Sequence, residues 1–138
     1  TITVNVDDKA GNSASPGSVT FKVDRIAPII TNISLNWGAT LTDISNKSIT
    51  LTTSGAEDGQ IATVTINNIN YANTISNNTT TINILSTDLD NLINGITYTV
   101  FANVSDEAGN PANQVTETFL ASITANYPTL TIHRLISS

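Results

Sequence analysis

The sequence contains no cysteine and no methionine, and aromatic residues make up only 5% of it. Without cysteine the chain can form no disulfide, no thiolate metal site and no thiol-based active site. Charged residues are also few, at 12%, and the 11 acidic and 5 basic residues give a net charge of −6. No basic stripe is present, which argues against a nucleic-acid partner. No apolar run approaches the length of a membrane span, so we expect no membrane insertion in this segment.

The residues that are abundant favour strands and turns. Thr, Asn, Ile and Ser dominate the composition. β-Branched side chains fit a pleated sheet, whereas Asn, Asp, Ser and Gly fit the turns between strands. Hydrophobic residues make up 39% of the chain, which is enough for a core.

One motif occurs twice, as VDDKAGN at residues 6–12 and VSDEAGN at residues 104–110. A Thr-Phe pair and then a proline follow each copy, at 20–21 and 28 and at 118–119 and 128. The spacing of 98 residues between the motifs is typical of a β-sandwich repeat and is too long for a solenoid unit. We therefore expect a window from a tandem array. Residues 1–27 would be the last hairpin of one repeat with its connector, 28–121 a complete repeat, and 122–138 a connector and the first strand of another.

Apolar and polar residues alternate along most of the chain, which predicts strands. In the complete repeat the alternation predicts seven of them, at residues 29–35, 48–53, 61–66, 71–76, 79–85, 96–104 and 114–120. Residues 87–92 predict a single helical turn capped by Asp88. The fold class that follows is all-β, an immunoglobulin-like antiparallel β-sandwich of about seven strands.

A tyrosine follows the corner that leads into the sixth predicted strand. The pattern D-x-D-x-L-x-x-G-x-x-Y at residues 88–98 ends at Tyr98. In sandwiches of this class such a tyrosine bonds back to the backbone of the corner. The alternative is an ordinary, half-buried strand tyrosine.

Four segments carry a resemblance to a known family. They are SGAEDGQIATVTI at 54–66, STDLDNLINGITYTV at 86–100, VSDEAGN at 104–110 and VDRIAP at 23–28. With these segments the chain resembles the bacterial Ig-like repeats of large surface adhesins and biofilm-associated proteins. The resemblance implies a structural spacer, located outside the cell or on the bacterial surface, with neighbouring repeats of the same chain as its partners. It also implies that host or surface glycans or proteins are bound by other domains, and that calcium binds at joints between domains.

Acidic residues from separate segments are predicted to meet at one such joint. Asp24 lies in the connector, Glu57 and Asp58 lie between the second and third predicted strands, and Asp106 and Asn110 lie between the sixth and seventh. In a sandwich these three segments share one end. Oxygen ligands in this number suit Ca²⁺, whereas carboxylates gathered without a cation would raise one another's pKa values. We predict these five residues as calcium ligands, and the alternative is that they are solvated turn residues.

The second connector departs from this pattern, because Thr124 or Ser122 stands where the first has Asp24. A calcium site is therefore less expected at that joint.

No pattern of an enzyme is present. The chain has no Gly-x-Ser-x-Gly elbow and no phosphate-binding loop, and its only histidine, His133, has no second ligand or nucleophile near it in sequence. We therefore predict a non-catalytic spacer repeat of an adhesin, rigidified by calcium. A glycan- or protein-binding module, or an accessory domain of a larger secreted enzyme, remain the alternatives.

Overall fold

The computed structural model describes residues 1–124. Within them ten strands and one short helix form, and their bounds are β1 Ile2–Val4, β2 Gly17–Val19, β3 Ile29–Leu35, β4 Thr40–Leu41, β5 Lys47–Ser54, β6 Ile61–Ile66, β7 Ile69–Thr74, β8 Thr79–Ile84, α1 Ser86–Leu89, β9 Thr97–Val104 and β10 Val115–Ala121. The strand predicted at 129–135, most of the second connector and His133 lie outside the described residues. No helix in the described part of the chain is long and apolar enough to cross a membrane.

Residues 28–121 form a two-sheet sandwich. One sheet has the strand order β4-β10-β9-β6-β7 and the other has the order β3-β5-β8. Neighbouring strands are antiparallel except β4 and β10, which run parallel. The inward side chains of both sheets share one core, whose largest fully buried members include Ile49, Leu51, Ile82, Val100 and Phe119. The predicted immunoglobulin-like sandwich is confirmed.

The seven predicted strands of this unit all form, and an eighth is added by β4. β4 is only two residues long and pairs with β10 through Leu120 and Ala121, far away in sequence. Alternation cannot reveal so short a strand. The predicted cap of the helical turn is wrong, because α1 is preceded by Leu85 with no side-chain cap. The carboxylate of Asp88 instead accepts a hydrogen bond from the Tyr71 hydroxyl at 2.8 Å.

The predicted tyrosine corner is confirmed. The Tyr98 hydroxyl accepts a hydrogen bond from the backbone N–H of Ile93 at 2.8 Å. The Tyr98 ring stacks on Phe119, with ring centroids 5.9 Å apart, and Trp37 meets the same Phe119 edge-on at 5.2 Å. Trp37 thus packs, partly buried, at the edge of the core. Through these ring contacts, the corner before β9 packs against the end of β10.

The register of the strands fixes what lies at each end of the sandwich. Ile29 pairs with Ser54, and Ala62 pairs with Val104. The connector before β3, the β5–β6 loop and the β9–β10 loop therefore share one end, which we call the connector end. β10 runs away from it and finishes at the opposite end, the far end. The chain thus enters and leaves the unit at opposite ends.

Candidate joint at the connector end

The β9–β10 loop closes on itself through Asp106. Its Oδ1 accepts a hydrogen bond from the backbone N–H of Asn110 at 2.7 Å, and its Oδ2 accepts one from Asn110 Nδ2 at 2.8 Å. The backbone of Gly109, at φ +87°, donates to the Asp106 carbonyl. A side chain would be strained at that φ, which explains the glycine of the motif. Asp106 is only 3% exposed, so these bonds replace water around its carboxylate.

The electrostatics of Asp106 follow from these bonds. The amide of Asn110 is the largest cause that holds the pKa of the Asp106 carboxyl below its usual range, and backbone N–H groups of the loop add to it against the opposing effect of burial. Carboxylates gathered without a cation were expected to raise one another's pKa values. At Asp106 the direction is the opposite, because hydrogen bonds to the charged form dominate.

Asn110 also ties the connector to the sandwich. Its Nδ2 donates a second hydrogen bond, 3.2 Å long, to the backbone carbonyl of Asp24. The Asp24 carboxylate contacts residues of its own segment. Its Oδ1 accepts a hydrogen bond from the backbone N–H of Ile26 at 3.0 Å, and its Oδ2 lies 3.8 Å from Lys22 Nζ. One amide group therefore joins the loop aspartate to the chain segment that enters the domain.

The two acidic residues of the β5–β6 loop have separate partners. Glu57 Oε2 accepts the backbone N–H of Glu107 at 3.0 Å, which ties the β5–β6 loop to the β9–β10 loop. Asp58 Oδ1 accepts the backbone N–H of Asn77 at 2.7 Å and so supports the turn between β7 and β8. That turn has two residues, Asn77 and Asn78, at positive φ. Asp58 is thus at the predicted end but faces another neighbour.

The structure brings four of the five predicted ligands into one hydrogen-bonded network, formed by Asp24, Glu57, Asp106 and Asn110. Their oxygen donors are of the kind that Ca²⁺ prefers. N–H groups already bond to both oxygens of Asp106, and each carboxylate oxygen keeps a further lone pair. Within residues 1–124, no three acidic, histidine or cysteine side chains are grouped so that they could hold one metal ion. Calcium binding by these five residues stays a prediction.

Sequence patterns did not reveal the second role of Asn110. The motif predicts a turn, and the spacing of four residues between Asp106 and Asn110 is a signal for the bonds inside it. The bond from Asn110 to the carbonyl of Asp24 spans 86 residues and depends on the fold.

No protein-family model matches the chain. No curated protein matches it either. Among solved structures, it is similar to a Ca²⁺-stabilised adhesin with which an Antarctic bacterium binds ice, at 23% identity and a TM-score of 0.47 over 88% of this chain. A 1.5-MDa bacterial ice-binding adhesin matches at 23% identity and a TM-score of 0.46, again over 88%.

A third structure is a bacterial immunoglobulin-like domain from the M. primoryensis ice-binding adhesin, with 19% identity and a TM-score of 0.45 over 70% of this chain and 99% of that one. The chain spans only 31% and 40% of the length of the first two structures.

Proposed function

We propose that this chain is a non-catalytic spacer repeat of a bacterial surface adhesin, built to carry tension. The observation that carries this proposal is that the polypeptide enters residues 28–121 at the connector end and leaves at the far end. Units with this geometry join end to end and extend along one axis. The sequence motifs that resemble adhesin repeats support the same role and a location outside the cell.

The parallel pairing of β4 and β10 suits this role. The N–H of Leu120 donates to the carbonyl of Ala39, that of Ser122 to Leu41 and that of Thr124 to Thr42, at 2.9, 2.9 and 3.3 Å. β4 is held from the connector end through β3, whereas β10 continues out of the far end. Tension along the chain therefore slides the two strands in opposite directions and loads these hydrogen bonds together. We call this pairing the β4–β10 clamp.

The clamp is tested by pulling the full chain in a single-molecule force experiment. The absence of cysteine allows one cysteine to be added at each terminus as a unique attachment point. We expect Ser122→Pro to lower the unfolding force, because proline removes the central donor of the clamp. Asn113→Pro is the matched control, since residue 113 lies in the β9–β10 loop outside the clamp. An unfolding force that is the same in Ser122→Pro and in the parent chain would contradict a load-bearing clamp.

The joint at the connector end is the second part of the proposal. The hydrogen bonds from Asn110 to Asp106 and to Asp24 hold the entering segment against the domain. We propose that bound calcium would further fix the entering segment on the domain. The convergence of Asp24, Glu57 and Asp106 at one end supports such a calcium site. The donors are oxygens of the kind that calcium takes, although the hydrogen bonds described above already occupy several of them.

Thermal unfolding of the full chain with calcium and with chelator tests this second part. If the affinity is that of extracellular calcium modules, about 10⁻⁴–10⁻³ M, about 10 mM free calcium stabilises by about 1.4–2.7 kcal/mol. Asp24→Ala should abolish most of that gain, while Asp7→Ala, in the first hairpin, should keep it. An equal melting temperature with calcium and with chelator in the parent chain would leave the joint to hydrogen bonds alone. A full calcium response in Asp24→Ala would remove Asp24 from the ligands.

A further inference from the structure

The turn before β9 contains the only Asn-Gly pair in the sequence, Asn94-Gly95. The N–H of Ile96 donates to the carbonyl of Ile93 at 3.3 Å, and Gly95 has φ +86°. The third residue of a type II turn requires a positive φ, which explains the glycine. Asn94 is exposed, so its side-chain amide is open to water. The turn thus places an accessible amide group next to a backbone nitrogen that no side chain shields.

The two residues of this pair can react with each other. Asparagine is thermolabile, because the backbone nitrogen of the next residue can attack Cγ of its side chain. A bond forms between that nitrogen and Cγ, the nitrogen loses its proton to water, and ammonia leaves. Water then opens the resulting succinimide ring at either carbonyl and yields aspartate or isoaspartate. Glycine in the next position favours the attack because it has no side chain to hinder its nitrogen.

The fold holds the attacking nitrogen in place. The N–H of Gly95 donates a hydrogen bond of 2.6 Å to the carbonyl of Ala121, and the N–H of Ala121 donates to the carbonyl of Ile96 at 2.9 Å. Ala121 is fully buried at the end of β10. These bonds keep the proton on the Gly95 nitrogen and fix the peptide group between Asn94 and Gly95. Attack on Cγ therefore requires the bond from Gly95 to Ala121 to open.

We propose that Asn94 is a site of spontaneous modification, and that the hydrogen bond from Gly95 to Ala121 controls the reaction. The neighbours of Ala121 on both sides, Leu120 and Ser122, donate the bonds of the β4–β10 clamp. Opening of the clamp releases the carbonyl of Ala121 and with it the nitrogen of Gly95. Because the product is permanent, the modified fraction records how often the far end has opened. The inference does not depend on the spacer role, since thermal opening is sufficient.

Isoaspartate at position 94 would also alter the corner that contains it. Its main chain is one carbon atom longer than that of asparagine, and the extra atom lies between Ile93 and Ile96, which bond to each other across the turn. The N–H of Ile93 also donates to the Tyr98 hydroxyl at 2.8 Å. The longer main chain shifts Gly95 away from its bonding position. We therefore expect the modified chain to open at the far end more easily than the parent.

A second pair with the same chemistry lies at the connector end. Asp58-Gly59 is the only Asp-Gly pair in the sequence, and aspartate forms the same ring with loss of water in place of ammonia. The N–H of Gly59 donates to the carbonyl of Ile75 at 2.8 Å. Opening of the far end leaves this bond intact, whereas global unfolding releases both pairs. Asp58 is therefore an internal reference for Asn94.

The test incubates the full chain at mildly alkaline pH, folded and unfolded in urea. Peptide mapping with mass spectrometry measures the products at residues 94 and 58, and NMR measures amide exchange of Gly95. In the folded parent we expect Asn94 to react at least about 10-fold more slowly than in urea. Ser122→Pro, which removes a donor of the clamp, should raise the folded rate about 2- to 10-fold, the factor for one ordinary hydrogen bond, and leave Asp58 unchanged. Asn113→Pro, at the connector end, should leave Asn94 unchanged.

Equal rates at Asn94 in the folded and the unfolded parent would overturn the inference. Leu41→Ala, a change at a fully buried residue of β4, loosens the far end by another route and serves if Ser122→Pro does not fold. Faster Gly95 exchange with an unchanged Asn94 rate, or equal acceleration at Asp58, would also overturn it. Faster modification in Ser122→Pro at an unchanged unfolding force would contradict the mechanical role of the clamp and leave this inference in place.

Discussion

Replacing Phe119 with alanine is expected to cost residues 28–121 about 3–5 kcal/mol of unfolding free energy, as for other buried aromatic residues. Phe119 is 1% exposed, and its ring contacts both Trp37 and Tyr98. Its loss opens a cavity between the sheets and removes the support of the tyrosine corner. Domains of this size are typically stable by only about 5–15 kcal/mol, so the variant should lose a large part of its free energy of unfolding. Urea denaturation followed by Trp37 fluorescence measures the change.

The chain supplies its own control for this substitution. Phe21 stands at the equivalent position of the first hairpin and is 56% exposed. Phe21→Ala should change the unfolding free energy of residues 28–121 by no more than about 0.5 kcal/mol. Equal losses in the two variants would mean that the first hairpin packs on the sandwich and would contradict the exposure described here.

Asp106→Asn is expected to lower the melting temperature at neutral pH by about 5–15 °C. Asparagine has the shape of aspartate but offers one acceptor, and its NH₂ group would face the NH₂ group of Asn110. The buried loop would lose a charge-assisted hydrogen bond and gain an unsatisfied donor. The segment before β3 would loosen with it, since Asn110 also holds the carbonyl of Asp24. Thermal unfolding followed by circular dichroism measures the effect.

The difference in stability between the parent chain and Asp106→Asn should depend on pH, which gives a second measurement. The pKa of Asp106 is lowered in the folded state. The Asp106 carboxylate therefore makes its full contribution to the free energy of unfolding above about pH 3.9, the ordinary pKa of an unfolded aspartate. The contribution is lost as the pH falls through the lower, folded-state pKa. The parent chain and Asp106→Asn should therefore converge in stability at acid pH. A gap of constant size down to pH 2 would contradict the role of the Asp106 charge.

Asp8→Asn is the matched control for both measurements. Asp8 makes the same bonds to Asn12, and its pKa is lowered chiefly by the side chain of that asparagine. Its loop is exposed, so we expect no change in the melting temperature of residues 28–121. A drop as large as that of Asp106→Asn would show that the turn acts through something other than the packed joint.

The alternation of apolar and polar residues predicts the bounds of most strands well, because it directly reflects which side chains are buried. β3 and β6 begin and end at the predicted residues, β5 and β10 differ by one residue at both ends, and β8 and β9 differ by one residue at one end. β7 begins two residues earlier than predicted, at Ile69. Asn67 and Asn68 form a tight turn at positive φ and leave no room for a longer loop. Asparagine tolerates that conformation, but its presence alone does not show which asparagine adopts it.

At the connector end, sequence could predict which segments meet but not which atoms pair. The topology of a sandwich brings Asp24, Glu57 and Asp106 to one end, and they lie there. The directions of their hydrogen bonds depend on loop conformation, which spacing does not determine. Glu57 therefore accepts a bond from the backbone of Glu107, and Asp58 from that of Asn77. The calcium site that the acidic residues predict at this end stays a prediction.

The two hairpins of this chain have equal register, because Ile2 pairs with Val19 as Val100, 98 residues later, pairs with Glu117, and this creates a competition during folding. The first hairpin is synthesised before β9 and β10, so it is the first to reach the unfilled sheet of β3, β5 and β8. With Val23 at the position of Ala121, only residues 24–28 are left to return to β3 at the connector end, and five residues span at most about 18 Å, so the short connector opposes this wrong closure. Val4 and Val23 then meet space shaped for Ala102 and Ala121. This mismatch in side-chain size favours β9 and β10 over the first hairpin in that sheet and lowers the risk of mispairing during folding.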